Sequence, residues 1–224
     1  MRRAVCVVIL AFHVCLWAQS VHPISGRRYA GVMGVGGADW LVRSERETEE
    51  QPDLALDAIG IAPGSTVADI GAGVGYMSWR MAQRVGPTGK VYANDIQPRM
   101  LDLLRQNMQQ RHLANYVTVL GDADDPKLPP ATMDLVLLVD VYHEFSEPQK
   151  MLRHIRTAMK SDGRLVLLEY RGEDPNVPIR PEHKMTVAQV KAELEPESFR
   201  LDKVLEPLPR QHILIFKRAT EPRP

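Results

Sequence analysis

A short apolar run followed at once by three alternating glycines does most to narrow the folds open to this chain. Thr66-Val67-Ala68-Asp69-Ile70 leads directly into Gly71-Ala72-Gly73-Val74-Gly75-Tyr76. The run suits a buried strand, and glycine directly after it lets the backbone bend sharply and come close to a ligand. The residues that follow, through Val85, read as a helix. In open α/β folds ligands bind at such strand-to-helix turns, at the carboxyl ends of the strands. Many nucleotide folds share a glycine-rich turn, so spacing has to say more. A dinucleotide turn, Gly-x-Gly-x-x-Gly, would place its third glycine at position 76, which is tyrosine here. Asp69 stands two residues before the first glycine, where it would repel a pyrophosphate. Both points count against an NAD(P)-dependent oxidoreductase.

The same alternation continues along the chain. Lys90 to Asp95 reads as a second strand, followed by a helix from Pro98 to about Arg111, and Tyr116 to Leu120 as a third strand. Asp134 to Asp140 is a fourth, apolar enough to be buried on both faces. Ser146-Glu147-Pro148-Gln149 has the form of a capping box opening a helix to about Lys160. Arg164 to Tyr170 is a fifth strand, Thr186-Val187-Ala188-Gln189 a second capping box, and Phe199–Leu205 and His212–Lys217 the last two strands. Strands alternating with helices imply parallel crossovers. The expected fold is therefore α/β, Rossmann-like and doubly wound: a mostly parallel seven-stranded sheet with helices on both faces, one domain over 52–218.

Residues 1–20 read as something other than fold. A basic start (Met1-Arg2-Arg3), an apolar run from Ala4 to Trp17 broken only by His13, and the small-x-small end Ala18-Gln19-Ser20 have the form of a signal peptide. The run is short for a membrane span of about 20 residues. The expectation is an exported protein, periplasmic or secreted, with the cytoplasm as its place if the signal does not work. Cys6 and Cys15 both lie in this segment, so its removal leaves no thiol and excludes disulfides, thiolate nucleophiles and thiolate metal ligands. Residues 21–51 are expected to form a glycine-rich arm or lid over the site, followed by a charged, solvated helix over Arg43–Gln51. Pro52 to Ile59, ending at Gly60, is a short helix punctuated at both ends. Residues 219–224 form a tail. Acidic and basic residues balance at 28 each with no Lys/Arg block, so a nucleic-acid partner is not expected.

The glycine turn resembles motif I of the class I S-adenosylmethionine (SAM)-dependent methyltransferases, firmly over about 65–170 and more loosely to 217. The resemblance implies SAM as cofactor. It implies that Asp69 supports the methionine end, that Gly71, Ala72, Gly73 and Gly75 form the turn, and that Asp95 holds the ribose hydroxyls. It further implies that Ile96 lies against adenine, that Asp122 and Ala123 stand near the adenine amino group, and that the end of the fourth strand faces the transferable methyl. Methyl transfer from a sulfonium is an in-line displacement, in which the protein positions, excludes water and sometimes removes a proton. In Asp140-Val141-Tyr142-His143-Glu144-Phe145, His143 is the candidate general base because imidazole titrates near neutrality. Asp140 or Glu144 could orient it, and Tyr142 could wall the methyl pocket. Arg180 and His183 are candidates for binding the acceptor. Asp140 and Glu169 could imitate the magnesium-holding acids of catechol-type relatives, but no third ligand is apparent and no metal is assigned.

No Asn-Pro-Pro-Tyr type of motif is present, which weighs against amino groups of DNA or protein as acceptors. The Val141–Phe145 segment is similar to the small-molecule branch that includes quinone-biosynthesis and arsenite methyltransferases. The arsenite chemistry needs thiolates that the mature chain would lack. The expectation is a methyltransferase acting on a small molecule, with a catalytically inactive SAM-binding module as the alternative.

Overall fold

A computed structural model describes residues 21–219. The expected signal peptide at 1–20 and the tail beyond 219 lie outside the described residues.

The elements follow one another as α1 (Arg46–Glu49), α2 (Pro52–Ile59), β1 (Thr66–Ile70), α3 (Ser78–Val85), β2 (Lys90–Asp95), α4 (Pro98–Gln110), β3 (Tyr116–Leu120) and β4 (Met133–Val139). Then come α5 (Pro148–Ala158), β5 (Met159–Arg171), β6 (Lys184–Met185), α6 (Val187–Leu194), β7 (Phe199–Leu205) and β8 (Gln211–Arg218). The sheet order is β3-β2-β1-β4-β5-β8-β7, with the two-residue β6 added beside the end of β5. Strands β1 to β5 pair in parallel, while β8 runs antiparallel to both β5 and β7. This is the expected doubly wound sheet, with a short eighth strand.

Period-two alternation along β4 explains its unbroken apolar run. Leu135 and Leu137 join one core with Leu56 of α2, Met81 of α3 and Leu104 of α4. Val136 and Leu138 join the other, with Leu152 and Ile155 of α5 and Val190 and Leu194 of α6. Each fully buried leucine contributes about 1.5–3 kcal/mol by leaving water, so neither face tolerates a polar residue without a partner.

Three local expectations are corrected. Thr186 and Gln189 do form a capping box, but Ser146–Gln149 does not. Helix α5 instead starts on Pro148, whose fixed φ suits a first helical position, and the Gln149 side chain turns to His22 Nε2 at 2.8 Å. That helix ends at Ala158 and β5 begins at Met159 rather than Arg164, with a bulge in its pairing to β4. The charged stretch Arg43–Gln51 holds one helical turn rather than a solvated helix, and Arg46 and Glu50 are buried in it as an ion pair at 2.6 Å.

Candidate functional site

The glycine turn closes tightly because its three glycines leave room for neighbouring side chains to pack against the backbone. Gly71, with φ at +70°, could not carry a Cβ without striking the side chain of Val141, and one on Gly75, with φ at +84°, would come within 2.8 Å of Leu104 on α4. Gly75 therefore serves the approach of α4. Tyr76, at the position where a dinucleotide turn has glycine, is clamped between the guanidinium groups of Arg46 and Arg80, 4.1 and 4.2 Å from its ring centre. Asp95 ends β2 and binds the turn itself: its carboxylate accepts from Gly73 N and Gln97 N, each at 2.9 Å. Burial raises its pKa, and those backbone N–H groups oppose the rise.

A cavity of about 610 Å³ opens at this carboxyl edge of the sheet. On one side its lining includes Gly71, Gly73, Asp95, Ile96, Asp122 and Ala123, and on the other Asp140, His143, Glu144, Arg180 and His183. The structure thus brings most of the candidates from the sequence around one space. Asp69, Ala72 and Gly75 lie behind the lining. Asp69 is buried there, accepting from Ser78 Oγ at 2.5 Å, and burial lifts its pKa to about 7 against the pull of that bond. Tyr142 is no wall of the cavity. It is fully buried, edge-on to Phe145 and beneath the Arg27 guanidinium, because the turn after β4 aims it at the α5/α6 side. Tyr170 of β5 lines the cavity instead.

His143 sits on a single 3-10 turn, Tyr142–Glu144, just past β4. Its Nδ1 donates to Glu169 Oε2 at 2.6 Å, while Glu169 Oε1 accepts from Tyr142 N at 3.1 Å. The orienting carboxylate is therefore Glu169, fully buried on β5, in place of Asp140 or Glu144. Burial lowers the His143 pKa, but Glu169, with Asp140 and Glu144 behind it, more than reverses that, for a net rise. The other ring nitrogen, Nε2, lies 3.1 Å from His183 Nδ1, and the two rings meet edge to face. Burial and the neighbouring His143 depress the His183 pKa, while burial pushes Glu144 up to about 7. Asp140, in a left-handed conformation with φ at +50°, accepts from Gln211 Nε2 at 2.7 Å. Burial raises its pKa strongly, helped by Glu50 and Glu169.

Several functional neighbours escaped sequence reading. Arg27 of the arm donates to His143 O at 2.9 Å and to Glu193 Oε1 at 2.8 Å, and Ala30 N also donates to His143 O. Glu50 accepts from Arg43, Arg46 and Tyr170 Oη and lines the cavity. The sequence names Glu169 only as an acid that could imitate a magnesium ligand; its role beside His143 carried one legible signal, since an acid inside the apolar run Leu165–Tyr170 requires a buried partner. Arg27 and Glu50 carried none, because their partners are remote in sequence. The whole arrangement, bare backbone and carboxylates on one side and a carboxylate-backed imidazole on the other, can hold a cationic nucleoside beside a group that removes a proton.

Comparison with known proteins agrees with this geometry. A family model described as a methyltransferase domain matches residues 61–210. The ubiquinone/menaquinone biosynthesis C-methyltransferase UbiE of Escherichia fergusonii is 30% identical over 118 residues, 52% of this chain and 47% of that protein. The protein of the same name from Ectopseudomonas mendocina is 31% identical over 118 residues, covering 52% and 46%. The chain thus spans about half the length of the curated relatives it matches. The crystal structure of a SAM-dependent methyltransferase from Aquifex aeolicus aligns with a TM-score of 0.78 at 25% identity, covering 83% of this chain and 98% of that one. Among the described residues no helix is long and apolar enough to cross a membrane.

Proposed function

Because the chain belongs to the class I SAM-dependent methyltransferases, whose cofactor is SAM, we propose that it transfers the sulfonium methyl to a small-molecule acceptor held near His143, His183 and Arg180. One observation carries this reading: a single cavity of about 610 Å³ joins the glycine turn and Asp95 to His143. Small-molecule sites span about 300–1,000 Å³, so the space suits a nucleoside cofactor with a small acceptor beside it.

In this reading Asp95, held by its two backbone N–H donors, receives the ribose hydroxyls. Ile96 lies against adenine, and Asp122 and Ala123 stand by its amino group. Asp69 acts from behind the turn, placing negative potential under the cationic methionine end. The acceptor's nucleophilic atom forms its bond to the methyl carbon as the C–S bond breaks, and the electron pair stays on sulfur, giving S-adenosylhomocysteine. His143 Nε2 takes the acceptor's proton, and Glu169 steadies the imidazolium that results. Tyr170, near the end of β5, and Phe145, past β4, give the acceptor side an apolar character that suits an aromatic or quinol-like molecule.

The test is transfer of labelled methyl from SAM into a metabolite extract and a panel of phenols and quinols. Calorimetric SAM binding with no transfer to any of them points to a catalytically inactive module, and absence of SAM binding by the folded chain overturns the whole reading. His143→Ala is expected to lower kcat about a hundredfold with SAM affinity unchanged, and undiminished turnover would remove the histidine from the mechanism. Export through residues 1–20 belongs to the same proposal, and fractionation of the tagged full-length protein checks it.

A further inference from the structure

His143 and Glu144 on the turn after β4, and His183 on the turn ahead of β6, offer one imidazole nitrogen each and one carboxylate oxygen within 4.8 Å of one another. We propose that this trio binds a divalent transition cation of the zinc class on the wall of the cavity, beside the methyl acceptor. The binding stands on these residues alone; only its part in turnover rests on the methyltransferase reading.

Four features of the site argue for it. Glu169 fixes the proton of His143 on Nδ1 and so leaves the Nε2 lone pair facing His183, the carboxylate–histidine pairing that commonly backs a metal ligand. The facing nitrogens are 3.1 Å apart, and a tetrahedral ion with bonds of about 2.0–2.1 Å holds its donors roughly 3.3 Å apart. The two nitrogens share one hydrogen bond, and a cation between them takes the place of its proton. Charge points the same way. Among the described residues neither Glu144 nor Glu169 has an Arg or Lys partner at ion-pair distance, so a divalent ion would neutralise the pair. Finally, all three ligands line the cavity, which leaves a fourth coordination position open to it, the form of a catalytic rather than a closed structural site. Closing on the ion draws in the half-buried Glu144 carboxylate, which otherwise takes a backbone hydrogen bond from Met33.

Two imidazoles and one carboxylate suit zinc, cobalt or nickel, whereas magnesium and calcium prefer oxygen ligands alone. An acceptor hydroxyl or thiol placed at the open position would release its proton to solvent. Its oxygen or sulfur then forms the bond to the methyl carbon, and the C–S pair remains on the departing sulfur. The ion keeps its charge throughout. It supplies the acidity that His143 Nε2 answers as a base when no cation is bound.

The experiment uses the full chain stripped with a chelator and titrated calorimetrically with Zn2+ and, separately, Mg2+, with Co2+ absorption reporting imidazole ligation. One Zn2+ per chain is expected, with no comparable Mg2+ binding. His183→Ala and Glu144→Gln should each weaken Zn2+ at least tenfold, and Glu169→Gln, which acts through His143, by about 10–100-fold. SAM calorimetry on each variant shows that it is folded. Substoichiometric Zn2+, equal Mg2+ binding, Zn2+ affinity unmoved in folded His183→Ala, or a wild-type Co2+ spectrum without imidazole ligation would each overturn the proposal. Methyl transfer is scored separately, so failure of the acceptor screen leaves the Zn2+ result standing, and the reverse.

Discussion

Asp69 shows at the residue scale how a cofactor turn carries charge without presenting it to solvent. The carboxyl is 2% exposed, with Ser78 Oγ as its side-chain donor, and burial lifts its pKa from 3.8 to about 7. A folded-state pKa above the unfolded one gives stability that is full below about pH 4 and is lost as pH rises through about 7. The loss reaches at most ~1.4 kcal/mol per pH unit across that window. Glu144 and Asp140 slope the same way, so wild type alone cannot assign the effect. The difference between wild type and Asp69→Asn can. Denaturant melts from pH 4 to 7 should show a shallower decline in the variant, and parallel curves would mean that Asp69 ionises as freely in the fold as out of it. A cationic ligand over the turn favours the ionised carboxylate. Wild-type SAM affinity is therefore expected to rise with pH up to about 7, and the variant's to rise less.

At the scale of elements, legibility followed the kind of interaction that fixes each one. Strands β1 to β5 and helices α3 to α5 could be read because apolar periodicity is written locally, and Leu135 and Val136 declare opposite faces from adjacent positions. Where polar side chains fix a segment from far away, the sequence is silent. The arm over 21–41 has no apolar period and reads as a lid over the site, but nothing in its sequence shows that Arg27 ties it down. That guanidinium bonds Glu193, 166 positions away on α6, and also the carbonyl of His143. Asp140 or Glu144 as the partner of His143 failed for the same reason: nothing local states that Glu169, 26 positions on, is the acid that points at the ring. Both members of the Arg27–Glu193 pair are buried, with side chains 5% and 0% exposed. Arg27→Ala removes the permanent charge partner of Glu193, leaving it Ser25 Oγ and His22 alone, and should cost about 3 kcal/mol in chemical denaturation. It should also lower turnover by loosening the turn that carries His143. A loss within about 0.5 kcal/mol of zero would show that the arm is held by something other than this pair.

At the scale of the whole molecule, the cavity lies where the topology puts it. The chain winds outward from β1 in both directions, to β2 and β3 on one side and to β4 and β5 on the other, so the loops leaving β1 and β4 diverge and open a crevice at their carboxyl ends. Its walls come from the loops after all five parallel strands, as Gly71, Ile96, Asp122, His143 and His183 show, and from the arm through Met33 and Leu41. No single segment can form the site by itself. A ligand bound across all of them favours only the folded state, so stability and occupancy are linked by mass action. SAM at one hundred times its dissociation constant should add about 2.7 kcal/mol. For a domain of this size each kcal/mol raises Tm by about 2–4 °C, so the melting point should climb by roughly 5–11 °C. NAD at the same concentration should leave it unchanged, since Tyr76 stands where a pyrophosphate turn has glycine and Asp69 lies beneath. A shift with NAD and none with SAM, read in one thermal scan, would mean that the crevice was built for a different nucleotide.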